Sequence, residues 1–271
     1  MRTGMEERRL ALRIEAAGKT DVGRARRVNQ DRFAVAEDLG LAVVCDGMGG
    51  PAGGEIASSL AMESFLAVAR KEMECCRGAG NGTASGLANG LTERMLRRAA
   101  AAANRAVRAR ASGDDRLTGM GTTLVAARME GRELTVLNVG DSRAYVVRGE
   151  VARQVTEDHS YVGERVRMGV MTRAEAEQSP LQSVITRAIG IEEDVQPDVS
   201  RETVEAGDLL LLCTDGLTRH VADAEIARVA GRVGSLDEVC EELIALANER
   251  GGSDNITCVL MRFEGESTDT D

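Results

Sequence analysis

The stretch TTLVAARMEGRELTVLNVGDSRAYVVRGEVARQV, residues 122–155, decides the fold class. It contains four runs rich in aliphatic and β-branched residues, separated by the short turns 129–132, 140–142 and 149–150. Turns this short predict an antiparallel meander, because parallel strands need a crossover of a dozen or more residues. The same pattern elsewhere predicts further strands, and the full set is Ala11–Ala17, Arg32–Ala36, Leu41–Cys45, Thr122–Arg128, Glu133–Val139, Arg143–Val147, Val151–Val155, Asp198–Thr203, Asp208–Cys213 and Asn255–Phe263.

Two long segments, 54–71 and 91–111, carry apolar residues at helical spacing, and each is predicted to bury one face. A capping box at Ser235–Glu238 opens a third helix, and Thr172–Glu175 begins a shorter one. Helix faces of this kind need a sheet to cover, and the predicted strands outnumber the helices. The expected fold is therefore α+β, with two antiparallel sheets flanked by helices.

The chain is predicted to form one domain, because no long linker or internal repeat interrupts this alternation. The domain is expected to span residues 11–264, with a loop at 78–90. Residues 1–10 and 265–271 are expected to be loose tails, since such segments concentrate at chain termini.

Composition excludes several classes of protein. The 271 residues are 43% hydrophobic and 29% charged, with a formal net charge of −10, which is an ordinary globular composition. No apolar run approaches the ~20 residues of a membrane span, and the opening MRTGMEERRL lacks the pattern of a signal peptide. The acidic balance argues against non-specific nucleic-acid binding. We therefore expect a cytoplasmic protein without a membrane or nucleic-acid partner.

The six cysteines have no spacing typical of a zinc site. Cys45, Cys213 and Cys258 lie in apolar runs, where a free thiol behaves as a small hydrophobic residue. The adjacent pair Cys75–Cys76 lies in a polar stretch and is either redox-active or an ordinary surface feature; the surface interpretation is favoured. A reduced compartment suits this pattern.

Aspartates occur at the ends of four predicted strands: Asp46 after LAVVC, Asp141 after LTVLNVG, Asp215 after LLLLCT and Asp254 before NITCVL. Taken singly, each is typical of an ordinary turn. In an antiparallel sheet one strand ends where its neighbour begins, so all four carboxylates can meet at one edge. Carboxylates that close repel one another, so either most are protonated or cations are bound. Oxygen ligands without His or thiolate select Mg²⁺ or Mn²⁺, and Gly47 lets its carbonyl approach as a further ligand.

The connection TDVGRARRVNQD, residues 20–31, is polar and carries several arginines, Arg26 among them. A guanidinium in such a loop can bind two phosphate oxygens, which suits anion binding. The alternative is an ordinary solvated basic loop, and from the residues alone this alternative is favoured.

Eight segments of the chain, in order, resemble the metal-dependent Ser/Thr protein phosphatases, the PPM or type 2C family, in their compact bacterial form. They are TDVGRARRVNQD (20–31), VVCDGMGG (43–50), GMGTTLV (119–125), NVGDSRAY (138–145), VTEDHS (155–160), ITRAIG (185–190), LLCTDGL (211–217) and GGSDNIT (251–257). The resemblance implies an αββα sandwich, in which two antiparallel sheets are flanked by pairs of helices. It also implies a flap at about 161–182 beside a two-metal site.

The resemblance further implies which residues hold the metals. Asp46 would bridge two divalent ions, Mn²⁺ or Mg²⁺, and the Gly47 carbonyl would bind one of them. Asp215 and Asp254 would hold the other ion. Asp141, together with Asp215, would form a weaker third site.

Catalysis is implied in the same way, with Arg26, Asp46 and Asp215 as the catalytic residues. Arg26 would contact the substrate phosphate, while Asp31 and Asn255 would orient ligands or bound waters. The reaction would be hydrolysis of phosphoserine and phosphothreonine by in-line attack of a hydroxide shared by two ions. The partners would be phosphorylated proteins, the substrates of a bacterial Ser/Thr kinase, and the enzyme would be a monomer. The alternative is a catalytically silent member that acts as a regulatory binding module.

Two positions depart from the pattern of other members. Met48 stands where many eukaryotic members have a histidine proposed as general acid, and Gln30 stands where some have a metal-linked glutamate. The proton for the leaving group would then come from elsewhere. His159 is either part of the site or a structural hydrogen-bonding residue, and the structural role is favoured.

Overall fold

The computed structural model describes residues 13–78, 85–232 and 234–265, so the expected tails lie outside it except for Gly265. The strands within these residues are β1 (Arg13–Asp21), β2 (Asp31–Ala36), β3 (Leu41–Met48), β4 (Gly121–Thr122), β5 (Leu124–Glu130), β6 (Glu133–Val139), β7 (Arg143–Arg148), β8 (Val151–Gln154), β9 (Asp198–Thr203), β10 (Leu209–Cys213) and β11 (Ile256–Glu264). The α-helices are α1 (Gly50–Gly78), α2 (Ser85–Ser112), α3 (Tyr161–Arg167), α4 (Arg173–Glu177), α5 (Asp215–Thr218), α6 (Asp223–Ala230) and α7 (Leu236–Glu249).

Two antiparallel sheets form the centre of the structure. One has the strand order β1-β11-β10-β7-β8, and the other has the order β2-β3-β5-β6-β9, with β4 beside β3. Helices α6 and α7 cover the first sheet, and α1 and α2 cover the second. The predicted α+β sandwich, two antiparallel sheets flanked by pairs of helices, is confirmed.

The strands β3 and β10 are buried on both faces, which explains their unbroken apolar sequences. In β3, Val43 packs under the helices, while Val44 faces the opposite sheet. In β10, Leu211 packs under the helices, while Leu210 faces the opposite sheet. Three buried layers result, one between the sheets and one beneath each helical layer.

The two long helices extend beyond their predicted segments. Helix α1 covers residues 50–78 rather than 54–71, and α2 begins at Ser85 rather than at residue 91. The loop expected over 78–90 is therefore wrong for residue 78 and for residues 85–90, while 79–84 lie outside the described residues. The glycines there predicted a loop, but packing of α2 along α1 overrides their low helix propensity. Among the described helices, none combines the length and the apolar character needed to cross a bilayer.

Side-chain caps define where three of the helices begin. Ser160 Oγ accepts a hydrogen bond from the Gly163 N–H and begins α3, a helix that the sequence pattern did not predict. The predicted capping boxes are confirmed: Thr172 with Glu175 opens α4, and Ser235 with Glu238 opens α7.

The meander predicted over 122–155 is wrong at its centre. Strand β5 pairs with β6 and β7 pairs with β8, but the second partner of β6 is β9 and that of β7 is β10. The link 140–142 therefore crosses from one sheet to the other. Gly140 permits this crossing, because its φ is +108° and a Cβ there would lie 2.6 Å from Thr123 Cγ2. The crossing places Asp141 at the edge where the two sheets meet.

Helix α1 lies so close to β3 that a Cβ on Gly54 would be 2.6 Å from the Gly47 carbonyl oxygen. Gly54→Ala is expected to lower the free energy of unfolding by about 1–3 kcal/mol, since the backbone must move apart. At Gly90 in α2 a Cβ meets open space, so Gly90→Ala is expected to raise that free energy by about 0.5–1 kcal/mol. Urea denaturation of both variants measures this contrast, and shifts of the same sign would contradict it.

Candidate functional site

The structure brings five aspartates together where the two sheets meet. The register of β2 against β3 places Asp31 opposite Asp46. Burial is the main factor that raises the pKa of Asp46, and four neighbouring carboxylates raise it further. Those neighbours are Asp31, Asp215, Asp141 and Asp254. All four aspartates that the sequence singled out at strand ends therefore share one acidic cluster with Asp31.

Asp46 is a strand residue and not a turn residue, because β3 continues through it to Met48. Its N–H donates to Thr123 Oγ1 at 2.9 Å. Its carbonyl oxygen accepts hydrogen bonds from Thr122 Oγ1 and from the Thr123 N–H, both at 2.8 Å. These bonds fix the backbone of Asp46 and thereby the position from which its carboxylate extends.

Gly47 lies in a space that admits no side chain. A Cβ on this residue would be 2.0 Å from the Gly54 carbonyl oxygen. Its N–H donates to the Gln30 carbonyl at 3.2 Å, and the Gln30 side chain donates to the Gly50 carbonyl at 2.8 Å. The start of α1 is thereby tied to β2 and β3 beside the acidic cluster.

Asp31 is the most deeply buried carboxylate of the cluster, with 1% of the residue exposed. Its Oδ2 accepts hydrogen bonds from Thr214 Oγ1 at 2.9 Å and from Thr257 Oγ1 at 2.6 Å. Its Oδ1 is buried without a hydrogen-bond partner. Burial raises the pKa of Asp31 to about 7.

Asp141 is also buried, and its Oδ1 has no hydrogen-bond partner. Burial, followed by the charge of Asp215, raises the pKa of Asp141 to about 8. The preceding residue, Gly140, is clasped by His159: the Gly140 N–H donates to Nδ1 at 3.2 Å, and the His159 N–H donates to the Gly140 carbonyl at 2.9 Å. His159 is fully buried, and its Nε2 lies 3.1 Å from Asp198 Oδ2. These contacts support the structural role that was favoured for His159.

Two arginines reach the cluster. Arg219 is bonded through Nη2 to Asp215 Oδ2, while Asp215 Oδ1 is buried without a hydrogen-bond partner. Arg26 lies at the rim, where its Nη2 is 2.8 Å from Asp254 Oδ2 and about half of its side chain is exposed. The two positive charges thus lie on two different carboxylates of the cluster.

Asn255 joins the loop 20–31 to the cluster. Its Nδ2 donates to the carbonyls of Val22 at 2.9 Å and Val28 at 3.0 Å, and its Oδ1 accepts from the Gln30 N–H at 2.8 Å. The loop that carries Arg26 is therefore held directly against the residue that follows Asp254.

The cluster fits hard divalent cations. Three buried carboxylate oxygens lack hydrogen-bond partners, and these belong to Asp31, Asp141 and Asp215. Burial raises the pKa of these carboxyls, neighbouring carboxylates raise it further, and bound cations would offset both effects. In the part of the chain that the structure describes, no group of three or more His, Cys, Asp or Glu side chains is arranged to hold a metal by itself. An ion here would need the Gly47 carbonyl or water among its ligands, as Mg²⁺ commonly does.

Sequence reasoning missed two arginines near the site. Arg219 follows Asp215 by four residues, and this spacing would have indicated the pair once a helix had been predicted after β10. Arg143 is bonded to Asp158, with Nη2 2.7 Å from Oδ2, and this pair lies beside Asp141. Nothing in the local sequence of either residue indicates that second pairing.

This chain matches a family model, related sequences and related structures of protein phosphatases. The family described as "Protein phosphatase 2C" matches residues 23–261. The serine/threonine phosphatase stp of Listeria innocua is 37% identical over 92% of this chain and 95% of its own. Among solved structures, the Mycobacterium tuberculosis serine/threonine phosphatase PstP/Ppp has a TM-score of 0.80 at 32% identity, over 93% of this chain and 99% of that one. The catalytic domain of PstP in complex with two manganese ions has a TM-score of 0.77 at 31% identity, over 94% of this chain and 100% of that one.

The raised carboxyl pKa values predict how stability depends on pH when metal is chelated. Asp31 and Asp141 bind protons more tightly in the folded protein than in the unfolded chain. Their contribution is therefore fully present below about pH 4 and is lost as the pH rises through about 7 to 8. We expect the Tm in EDTA to fall as the pH rises from about 4 to about 8. The Tm of Asp31→Asn should fall less, because the asparagine at position 31 carries no charge. Thermal denaturation at a series of pH values measures both profiles.

The exposed residue Asp237 of α7 provides the control, because Asp237→Asn should retain the full slope. A Tm that stays flat in the parent protein, or an equal slope in parent and Asp31→Asn, would contradict the assignment.

Proposed function

The chain belongs to the protein phosphatase 2C family, and we propose on this basis that it is a metal-dependent protein serine/threonine phosphatase that hydrolyses phosphoserine and phosphothreonine monoesters. The observation that carries the proposal is the acidic cluster, with its three unpartnered buried oxygens, in a fold that PstP shares while holding two manganese ions. Its cofactors are two divalent ions, Mn²⁺ or Mg²⁺.

The residues that would hold these ions are proposed from the family resemblance. Asp46 would bridge both ions, with the Gly47 carbonyl on one of them and Asp215 and Asp254 on the other. Asp141, with Asp215, would form a weaker third site. Two bound divalent ions lower the pKa of water and offset the negative charge of a phosphoryl group, which is the chemistry that hydrolysis needs.

The other residues of the site would bind and orient. Arg26 stands at the exposed rim, where its guanidinium would leave Asp254 to bind two oxygens of the substrate phosphate. Asp31, opposite Asp46 on the neighbouring strand, would keep that carboxylate and its bound water in place, while Asn255 would fix the loop that carries Arg26. Met48 cannot donate a proton, so the leaving serine or threonine would take its proton from water.

The wider organisation is proposed on the same basis. Residues 11–264 would form one catalytic domain, with 161–182 as a flap that selects substrates. This segment contains α3 and α4 and carries exposed apolar side chains such as Met168 and Val170. The substrates would be phosphoproteins made by a Ser/Thr kinase, and the enzyme would act in the cytoplasm as a monomer, with no nucleic-acid partner.

A catalytically silent binding module is the disfavoured alternative. Such a protein would be expected to lack part of the acidic set, yet Asp46, Asp141, Asp215 and Asp254 are all present and all converge.

Activity provides the direct test of the proposed function. The protein should hydrolyse p-nitrophenyl phosphate and a phosphothreonine peptide with Mn²⁺ and lose this activity in excess EDTA. Asp46→Ala should lower kcat/KM by about 100-fold or more, because charge stabilisation by metals is worth several kcal/mol. Asp237→Ala, on the exposed face of α7, should leave kcat/KM unchanged. Full turnover in EDTA, or in Asp46→Ala, would refute the metal-dependent mechanism.

The role of Arg26 is tested separately. Arg26→Ala should lower kcat/KM by roughly 10- to 100-fold, since a charge-assisted hydrogen bond to phosphate contributes about 1.5–3 kcal/mol. Arg27 is the matched control, being exposed in the same loop. Equal losses in Arg26→Ala and Arg27→Ala would indicate a general effect of loop charge and not a contact with the phosphate.

A further inference from the structure

Arg219 is bonded directly to the acidic cluster and is less exposed than Arg26. It follows the single turn of α5, and its N–H donates to the Asp215 carbonyl at 2.9 Å. Its guanidinium returns to the side chain of the same residue, bonding Asp215 Oδ2. About a quarter of the Arg219 side chain is exposed, against about half for Arg26.

This pair differs from an ordinary surface ion pair at the same i,i+4 spacing. Exposed pairs are screened by solvent and contribute little. Here the Asp215 side chain is 15% exposed, and one of its oxygens is buried without a partner. Burial lowers the pKa of Arg219, but the carboxylates of Asp215 and Asp141 raise it by more than burial lowers it. The guanidinium therefore stays charged. The cation is therefore held within the field of several carboxylates.

The position of Arg219 matters for the distribution of charge. It lies on the Asp141–Asp215 side of the cluster, where a weaker divalent ion would bind according to the proposed function. With Oδ2 of Asp215 bonded to Arg219, Oδ1 is the oxygen of that carboxylate that has no hydrogen-bond partner. A divalent ion between Asp141 and Asp215 would also be repelled by the fixed positive charge.

We propose that Arg219 is a positioning residue that serves as a fixed cation of the acidic cluster: it holds Asp215 through Oδ2 and weakens the binding of a divalent ion between Asp141 and Asp215. The inference rests on the metal centre proposed above. The protein then works with two tightly bound ions, and Arg219 takes the place of much of the charge that a third ion would bring.

Calorimetric titration of Mn²⁺ into the metal-stripped full chain tests this role. The parent protein should bind two ions tightly. Arg219→Gln should bind its weakest ion roughly tenfold more tightly or take up a third ion, as expected for loss of a unit charge about 6 Å from a divalent ion in a water-like dielectric. Arg219→Lys, which keeps the charge, should titrate like the parent. The control is Arg153→Gln, which removes a guanidinium bonded to Glu202 away from the cluster.

Thermal denaturation gives a readout that is independent of activity. Arg219→Gln should have a lower Tm than the parent in EDTA, because it loses a cation that offsets carboxylate repulsion, and it should gain more from saturating Mn²⁺. If this variant folds only with Mn²⁺, that result supports the proposal in the same way. A variant that stays unfolded at saturating Mn²⁺ would overturn it.

The outcomes separate the two proposals. A parent protein that binds no Mn²⁺ would refute the proposed function. A parent that binds Mn²⁺, together with an Arg219→Gln variant of unchanged affinity and stoichiometry, would overturn only the role of Arg219. Tighter binding in Arg219→Lys as well would show that side-chain shape and not charge is responsible, and would also overturn it.

Discussion

Repulsion among buried carboxylates is the constraint on which the rest of this structure depends. Asp31, Asp46, Asp141, Asp215 and Asp254 come from widely separated parts of the chain and meet at one edge of the sandwich. Burial raises the pKa values of Asp31, Asp46, Asp141 and Asp215, and the charges of neighbouring carboxylates raise them further. A folded protein retains such a cluster only if hydrogen bonds, cations or protons offset the repulsion. Thr214 and Thr257 on Asp31, together with Arg219 on Asp215 and Arg26 on Asp254, supply part of this compensation within the chain. Divalent ions would supply the rest.

The sandwich brings these carboxylates together because both sheets end at the same edge, and because glycines allow the backbones to approach closely there. A Cβ on Gly47 would lie 2.0 Å from the Gly54 carbonyl oxygen, and one on Gly216 would lie 2.0 Å from the Asn255 carbonyl oxygen. The residues after Asp46 and Asp215 must therefore be small for α1 and β11 to close on the cluster. The Asp-Gly pairs, which are typical of turns when read singly, serve here to bring separate elements together.

Sequence reasoning located the strands, the long helices and the acidic residues well, since these follow from local periodicity and from residue type. It failed where the outcome depends on which surfaces pack together. The link 140–142 is as short as a hairpin turn, yet β6 and β7 belong to different sheets, and no local signal distinguishes the two cases. Asp46 was placed after its strand, although pairing with Asp31 extends β3 through it. Arg219 was missed because α5 is a single turn, too short to show helical periodicity.

The charge of the site shows why a fixed arginine suits a phosphatase. Five carboxylates against the guanidinium groups of Arg26 and Arg219 leave a formal charge of −3. Two divalent ions would change this to +1, a sign that attracts a phosphate dianion. A third divalent ion would bring the charge to +3 and would hold the released phosphate more tightly, because the same field acts on substrate and product. A monovalent cation that is part of the chain limits this attraction, and it also steadies Asp215 whether or not metal is bound. The same side chain thus stabilises the fold and sets the charge at which the site operates.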